Sequence, residues 1–172
     1  LVASVSPASS ATDLVYVRGS SSGAPVTLVR EGVTPWSGPG GHVGAINDQA
    51  DISSSGAVAF DGADTGPAAS NKYVAVTSDG VNFTEIAREG SPIPAIPDSN
   101  FGGAMARVHI FDTGGVAFVG QAAPSNEGVL LSNNGSSLLL RQNVTIPTGA
   151  EGPVISVVTG DTSINNAGFD AT

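Results

Sequence analysis

The chain repeats itself three times, and that constrains its fold more than any other feature. Three segments share one pattern: Ile52-Ser-Ser-Ser-Gly56-Ala-Val-Ala-Phe60, Ile110-Phe-Asp-Thr-Gly114-Gly-Val-Ala-Phe118 and Ile164-Asn-Asn-Ala-Gly168-Phe-Asp-Ala-Thr172. The glycines at 56, 114 and 168 are 58 and 54 residues apart. A second pattern keeps the same period: Leu28-Val-Arg30-Glu-Gly32, Ile86-Ala-Arg88-Glu-Gly90 and Leu140-Arg141-Gln-Asn143, followed by Pro35, by Pro92 and Pro94, and by Pro147. Two independent markers with one period define a repeat array. Residues 1–172 therefore read as one array, with approximate units 1–56, 57–114 and 115–172.

Each unit reads as four short strands. In the middle unit these are 56–61, with Val58 and Phe60 on one face, then 73–77, 83–88 and 107–111. Asp79-Gly80, and Asn134-Gly135 in the last unit, predict tight type I′ hairpins between the second and third strands. The first unit has the looser Gly19-Ser-Ser-Ser-Gly23 there. Glycine and proline, 23 and 11 of 172 residues, make up roughly a fifth of the chain and disfavour long helices. The expected fold is all-β: three tandem four-stranded antiparallel propeller-like blades. Val2-Ala3-Ser4 aligns with Val58-Ala59-Phe60, and Ala171-Thr172 aligns with Ala59-Phe60. Closed propeller rings have at least about four blades. Other copies of the chain, or blades outside it, are therefore expected to complete the array, and Leu1, Val2, Ala3, Ala171 and Thr172 are the candidate interface residues.

The words Ile-Asn-Asn-Ala-Gly at 164–168, Gly-x-Val-Ala-Phe at 114–118 and Ala-Arg-Glu-Gly-x-Pro at 87–92 resemble those of the tandem-repeat, propeller-like surface proteins of bacteria. In those proteins the repeat carries an Asn-x-x-Gly and Ala-Phe signature, and the C-terminal anchors vary. The resemblance covers the whole chain and implies a secreted or surface-attached protein with no known catalysis.

Composition excludes several function classes. Fifteen acids against six bases give a net charge of −9, which disfavours nucleic acid as a partner. No apolar run reaches the roughly 18 residues of a membrane helix. Without cysteine, neither disulfides nor thiolate metal sites can form. Only 12% of residues are charged and Lys72 is the single lysine. Such a surface suits an extracellular or cell-surface location and opposes self-association weakly.

Catalytic signals are missing. His42 and His109 occupy different registers, and no Gly-x-Ser-x-Gly elbow occurs. Arg30 and Arg88, each before Glu-Gly, read as strand-end ion pairs rather than anion sites. The acids Asp48 with Asp51, and Asp61 with Asp64, sit on loops of the kind that bind calcium, but they fall short of the six to eight oxygens a full site needs, and the expectation is no cofactor. The segment Thr77-Ser-Asp79-Gly80-Val-Asn-Phe83 resembles a turn-stabilising Asp-box hairpin. Asn82, Asn134 and Asn143 stand in Asn-x-Ser/Thr sequons. Trp36, the only tryptophan, reads equally as an exposed sugar-stacking or interface anchor and as a plug between blades. The expected function is a non-enzymatic extracellular structural or interaction module that self-assembles, as ring or filament, through repeat-edge pairing. The alternative is a fragment of a larger closed β-propeller that binds a glycan or peptide.

Overall fold

The computed structural model describes residues 2–4, 14–19, 23–68, 70–125 and 127–142. These residues form eleven strands and no helix. The first sheet contains β1 (Val2–Ser4), β2 (Leu14–Arg18) and β3 (Val26–Arg30). The second contains β4 (Val43–Ile52), β5 (Val58–Asp64), β6 (Lys72–Thr77) and β7 (Phe83–Arg88). The third contains β8 (Asn100–Ile110), β9 (Val116–Ala123), β10 (Glu127–Ser132) and β11 (Ser137–Arg141). All three are antiparallel meanders in which strands adjacent in sequence pair.

The sheets are offset from the expected strand grouping. The strand at 107–111, expected to close the middle unit, is the end of β8 and pairs with β9 in the next sheet, Ile110 opposite Val116. The local turn explains the shift. Ser53 N donates to Ala57 O at 2.9 Å, and Phe111 N donates to Gly115 O at 2.9 Å. Gly56 and Gly114 take φ of 82° and 85° inside these turns, a region glycine enters without steric cost. The Ile-x-x-x-Gly word is thus a hairpin that folds the strand before it onto the strand after it. The proline-bearing loops behind Arg30 and Arg88 carry the chain to a new sheet. Gly32 N reaches Val43 O at 2.7 Å, and Gly90 N reaches Phe101 O at 2.8 Å, at matching places in two of these loops.

Two further expectations change. The second-to-third-strand hairpins form, but they are wider than type I′ turns. Thr77 opposite Phe83 and Ser132 opposite Ser137 close the ladders, leaving 78–82 and 133–136 as loops. Gly80 has positive φ while Asp79 does not; in the later loop Asn133, Asn134 and Gly135 all do. Asp79 explains the first case, because its carboxylate gathers Val81 N at 2.9 Å and Asn82 N at 2.8 Å. In the first sheet, Tyr16 pairs with Val2, whereas its counterpart Val74 pairs with Asp61. Val2 therefore sits at the level of Asp61, three positions beyond the Val58 with which the sequence aligned it.

The repeat also appears in backbone irregularity. Each sheet has a bulge at the same place, between Tyr16 and Val17, Val74 and Ala75, and Leu130 and Leu131. The ladder passes over Leu28, Ile86 and Leu139 there and resumes at Val29, Ala87 and Leu140. One residue further on, Arg30, Arg88 and Arg141 stand opposite Val15, Tyr73 and Val129. A bulge adds local twist and re-aims the strand, so each arginine follows the same backbone irregularity.

The core lies between sheets. One cluster joins Tyr16, Leu28 and Val29 of the first sheet to Val58, Phe60, Tyr73 and Ala75 of the second. The other joins Ala59, Val74 and Ala87 of the second sheet to Phe101, Val116, Phe118 and Leu131 of the third. Alternation along β5 and β6 divides the second sheet into an aromatic face and a small-residue face. Phe60 and Phe118 are fully buried at equivalent positions. Truncating either to Ala is expected to cost about 3–5 kcal/mol. Ile52→Ala, at a residue 53% exposed, should cost within about 0.5 kcal/mol of nothing. Urea denaturation of the three variants measures the contrast.

Candidate functional site

The densest grouping of polar and aromatic side chains surrounds Arg88. Its Nη1 donates to Asp64 Oδ2 and to Ser70 O, both at 2.8 Å, and its Nε donates to Glu85 Oε2 at 2.8 Å. Glu85 also lies 2.7 Å from Nη2. The guanidinium carbon is 5.7 Å from the Tyr73 ring centre and 5.9 Å from that of Trp36, within cation–π range. Trp36 and Tyr73 stack at 4.4 Å with planes 19° apart. The backbone closes over this group at Gly38, where a Cβ would stand 2.0 Å from Trp36 Nε1 and 2.5 Å from Arg88 Nη2. Only a residue without a side chain fits there.

The electrostatics are those of a locked structural pair. Burial lowers the Arg88 pKa, but the hydrogen bonds from Glu85 and Asp64 outweigh it and the net shift is upward. Burial, reinforced by the Asp64 charge, pushes the Tyr73 phenol far above its ordinary value. Tyr73 is therefore a neutral core phenol and unsuited to proton transfer near neutral pH. Of the two strand-end arginines read as ion pairs, only Arg88 forms them among the described residues, and not with the Glu89 that follows it. Arg88 takes Asp64 and Glu85, and Arg141 takes Glu127 at 2.6 Å. Arg30 makes no ion pair among the described residues.

Trp36 resolves to the plug of its two readings. It is 5% exposed and packed between the first two sheets, so its ring has no free face for a sugar or a partner chain. Val2 and Ala3 lie on β1; Leu1, Ala171 and Thr172 fall outside the described residues, as does Asn143. The acids considered for calcium already accept bonds from protein donors. Asp64 holds Arg88 and, through Oδ1, Gly66 N at 2.8 Å. Asp61 is buried and accepts from Asn47 Nδ2. Asp51 accepts from Ile52 N at 2.9 Å and Ile110 N at 3.0 Å, and its Oδ2 lies 2.6 Å from His109 Nδ1. The Asp48 side chain lies outside the described residues. His42 is exposed in the loop before β4, while His109 is half-buried against Phe111 at 4.7 Å. Of the sequon asparagines, Asn82 donates from Nδ2 to Asp79 Oδ2 at 2.7 Å, and Asn134 Oδ1 accepts from Val116 N at 2.9 Å.

Inter-sheet bridges are the functional contacts that the sequence reading missed. Asp51 and His109 occupy the same position of successive repeats, opposite Ala59 and Ala117. Ser54 N and Asp112 Oδ1, 2.7 Å apart, are likewise separated by one period of 58 residues. Arg18 crosses from the first sheet to Gly56 O at 3.1 Å and Ser78 O at 2.8 Å. Complementary residues one period apart are the signal that would have revealed the first two bridges.

Two outcomes test this description. Arg88→Ala strands the Asp64 carboxylate, whose side chain is fully buried, and should cost about 3–5 kcal/mol; removing both charges with Arg88→Met and Asp64→Leu should restore much of that loss in urea melts. The donors of Asn82 and Val81 hold Asp79 down at about 2, against an ordinary 3.8. A carboxyl lowered on folding stabilises above its unfolded pKa and loses that contribution as pH falls through the folded one. The Asp79 carboxyl should thus titrate by NMR with a midpoint near 2, and Asp79→Asn should flatten the stability profile between 3.8 and about 2.

No curated protein and no solved structure matches the chain. A model of a protein family described as a family of unknown function, DUF7453, matches residues 1–171. With that match spanning the array and all three sheets, the chain belongs to the DUF7453 family.

Proposed function

We propose that this chain is a non-enzymatic, extracellular structural or interaction module, a propeller-like array that self-assembles through the edges of its repeats. One observation carries the reading. In the second and third sheets the strand holding the β1 position, β5 or β9, has a neighbour on each side. In the first sheet, β1 pairs with β2 alone among the described residues. An unpaired strand edge is a row of backbone donors and acceptors ready for another strand.

Three features support the propeller-like part of the reading: four-stranded meanders, their face-to-face stacking, and a backbone bulge repeated in each sheet. The most concentrated polar cluster of the described residues is spent on an internal ion pair, which supports a non-catalytic role. Sparse charge and a single lysine support a location outside the cell. Mass photometry at micromolar concentration should detect particles at multiples of 16.9 kDa. A monodisperse monomer across the concentration range overturns self-assembly.

A further inference from the structure

The loop between β10 and β11 carries a reaction that the fold holds back. We infer that Asn134-Gly135 is a self-modification site: its deamidation is blocked by hydrogen bonds to β9 and within the loop, and is released when loop 133–136 lifts from β9. The site lies within a single copy of the chain and does not depend on assembly.

Asparagine followed by glycine is the pair most prone to cyclise, because no side chain shields the glycine nitrogen and its backbone turns freely. Of the asparagines in the chain, Asn134 alone precedes a glycine. The Gly135 nitrogen attacks Cγ of Asn134. The new N–Cγ bond closes a succinimide ring as the Cγ–Nδ2 bond breaks, and Nδ2 leaves as ammonia with the proton that the Gly135 nitrogen gives up. Water then opens the ring at either carbonyl, returns a proton to nitrogen and leaves aspartate or isoaspartate. Water is the only co-reactant, and nothing is oxidised or reduced.

Both reacting groups are engaged in the folded chain. Asn134 Oδ1 accepts from Val116 N at 2.9 Å, and Asn134 N donates to Val116 O at 3.1 Å. The carboxamide thus takes the place of a ladder carbonyl: Val58, the counterpart of Val116, pairs with the backbone of Thr77 instead. On the nucleophile's side, Gly135 N donates to Ser132 O at 3.1 Å. A Cβ on Gly135 would stand 3.6 Å from Phe101 Cζ and 3.7 Å from Phe118 Cζ, which sets its backbone against the core rings. Ser136 ties the loop from within, donating from N and Oγ to Asn133 O at 3.2 and 2.6 Å.

Attack requires Cγ to swing off Val116 N while Gly135 N leaves Ser132 O. Asn134 is itself exposed, so water reaches the site and ammonia escapes once those bonds break. The restraint is therefore local, a matter of loop opening rather than of unfolding the sheet. The two products differ in consequence. Aspartate keeps an oxygen for Val116 N, whereas isoaspartate routes the main chain through the side-chain carbon and shifts the loop out of step with β9.

The test follows conversion at Asn134 by peptide mapping and mass spectrometry in full-length protein, folded or unfolded in urea. The expected rate is about tenfold or more slower in the folded chain. Ser136→Ala, which removes one exposed hydrogen bond of the loop, should speed the folded reaction about twofold to tenfold and leave the rate in urea unchanged. Far-UV circular dichroism checks that this variant is folded. Equal rates in folded and unfolded chains overturn the inference. A faster reaction in the folded chain also overturns it, because the Val116 amide would then be activating Cγ rather than restraining it. A folded Ser136→Ala chain that reacts no faster than the parent overturns release by loop opening.

Discussion

None of these sheets can bury its own faces, and the structure depends on that constraint. The second sheet presents Phe60 and Tyr73 on one side and Ala59, Val74 and Ala87 on the other. Each face is covered only because a neighbouring sheet supplies residues of complementary bulk. Tyr16 and Leu28 meet the aromatic side, and Phe101 and Phe118 fill the shallow side. Large against small lets sheets approach closely without voids, which interiors packed at crystal density require. Stability is thereby tied to succession. A sheet at the end of a row has one face or edge whose complement lies beyond it.

Succession also sets the polar contacts. A residue and its counterpart one period later occupy the same place on adjacent sheets, so the repeat length is a contact distance in sequence. Asp51 reaches His109, and Ser54 reaches Asp112, by this rule. The rule allows the copies to differ where their faces do not. Hydrophobic counterparts such as Phe60 and Phe118 stay alike because each fills the same kind of gap. Polar counterparts diverge into complementary pairs because each must suit the next. Within single sheets, Arg88 and Arg141 keep an ion pair with different partners, Asp64 and Glu85 in one and Glu127 in the other.

The all-β class and the division into three antiparallel sheets were legible in the sequence. Alternation and positive-φ turns are local properties, and local patterns record them. Sheet membership was not legible. A strand before a tight hairpin and a strand after a long loop look alike by composition, yet only the hairpin dictates pairing. Ser53 to Ala57 decided the grouping, and no count of apolar residues weighs that turn against the loop at 89–99. The turn type failed for a related reason. Asp-Gly was read as a two-residue turn, but Asp79 accepts from two backbone amides beyond it and widens the loop. Trp36 stayed open in the sequence because burial of a loop residue depends on which sheet lies above it. The Arg88 cluster was half legible: the arginine announced an ion pair, while Asp64, 24 residues earlier and two strands away on β5, became its partner only through register.

Register ties these observations together. The bulge recurs two residues before each arginine, and it turns a periodic sequence into a periodic backbone. A periodic backbone presents the same edge geometry at every first-strand position. Main-chain hydrogen bonds join the strands of each sheet, and the side chains between sheets decide which faces meet. Ile110 is buried in that gap, whereas its counterpart Ile52 is 53% exposed.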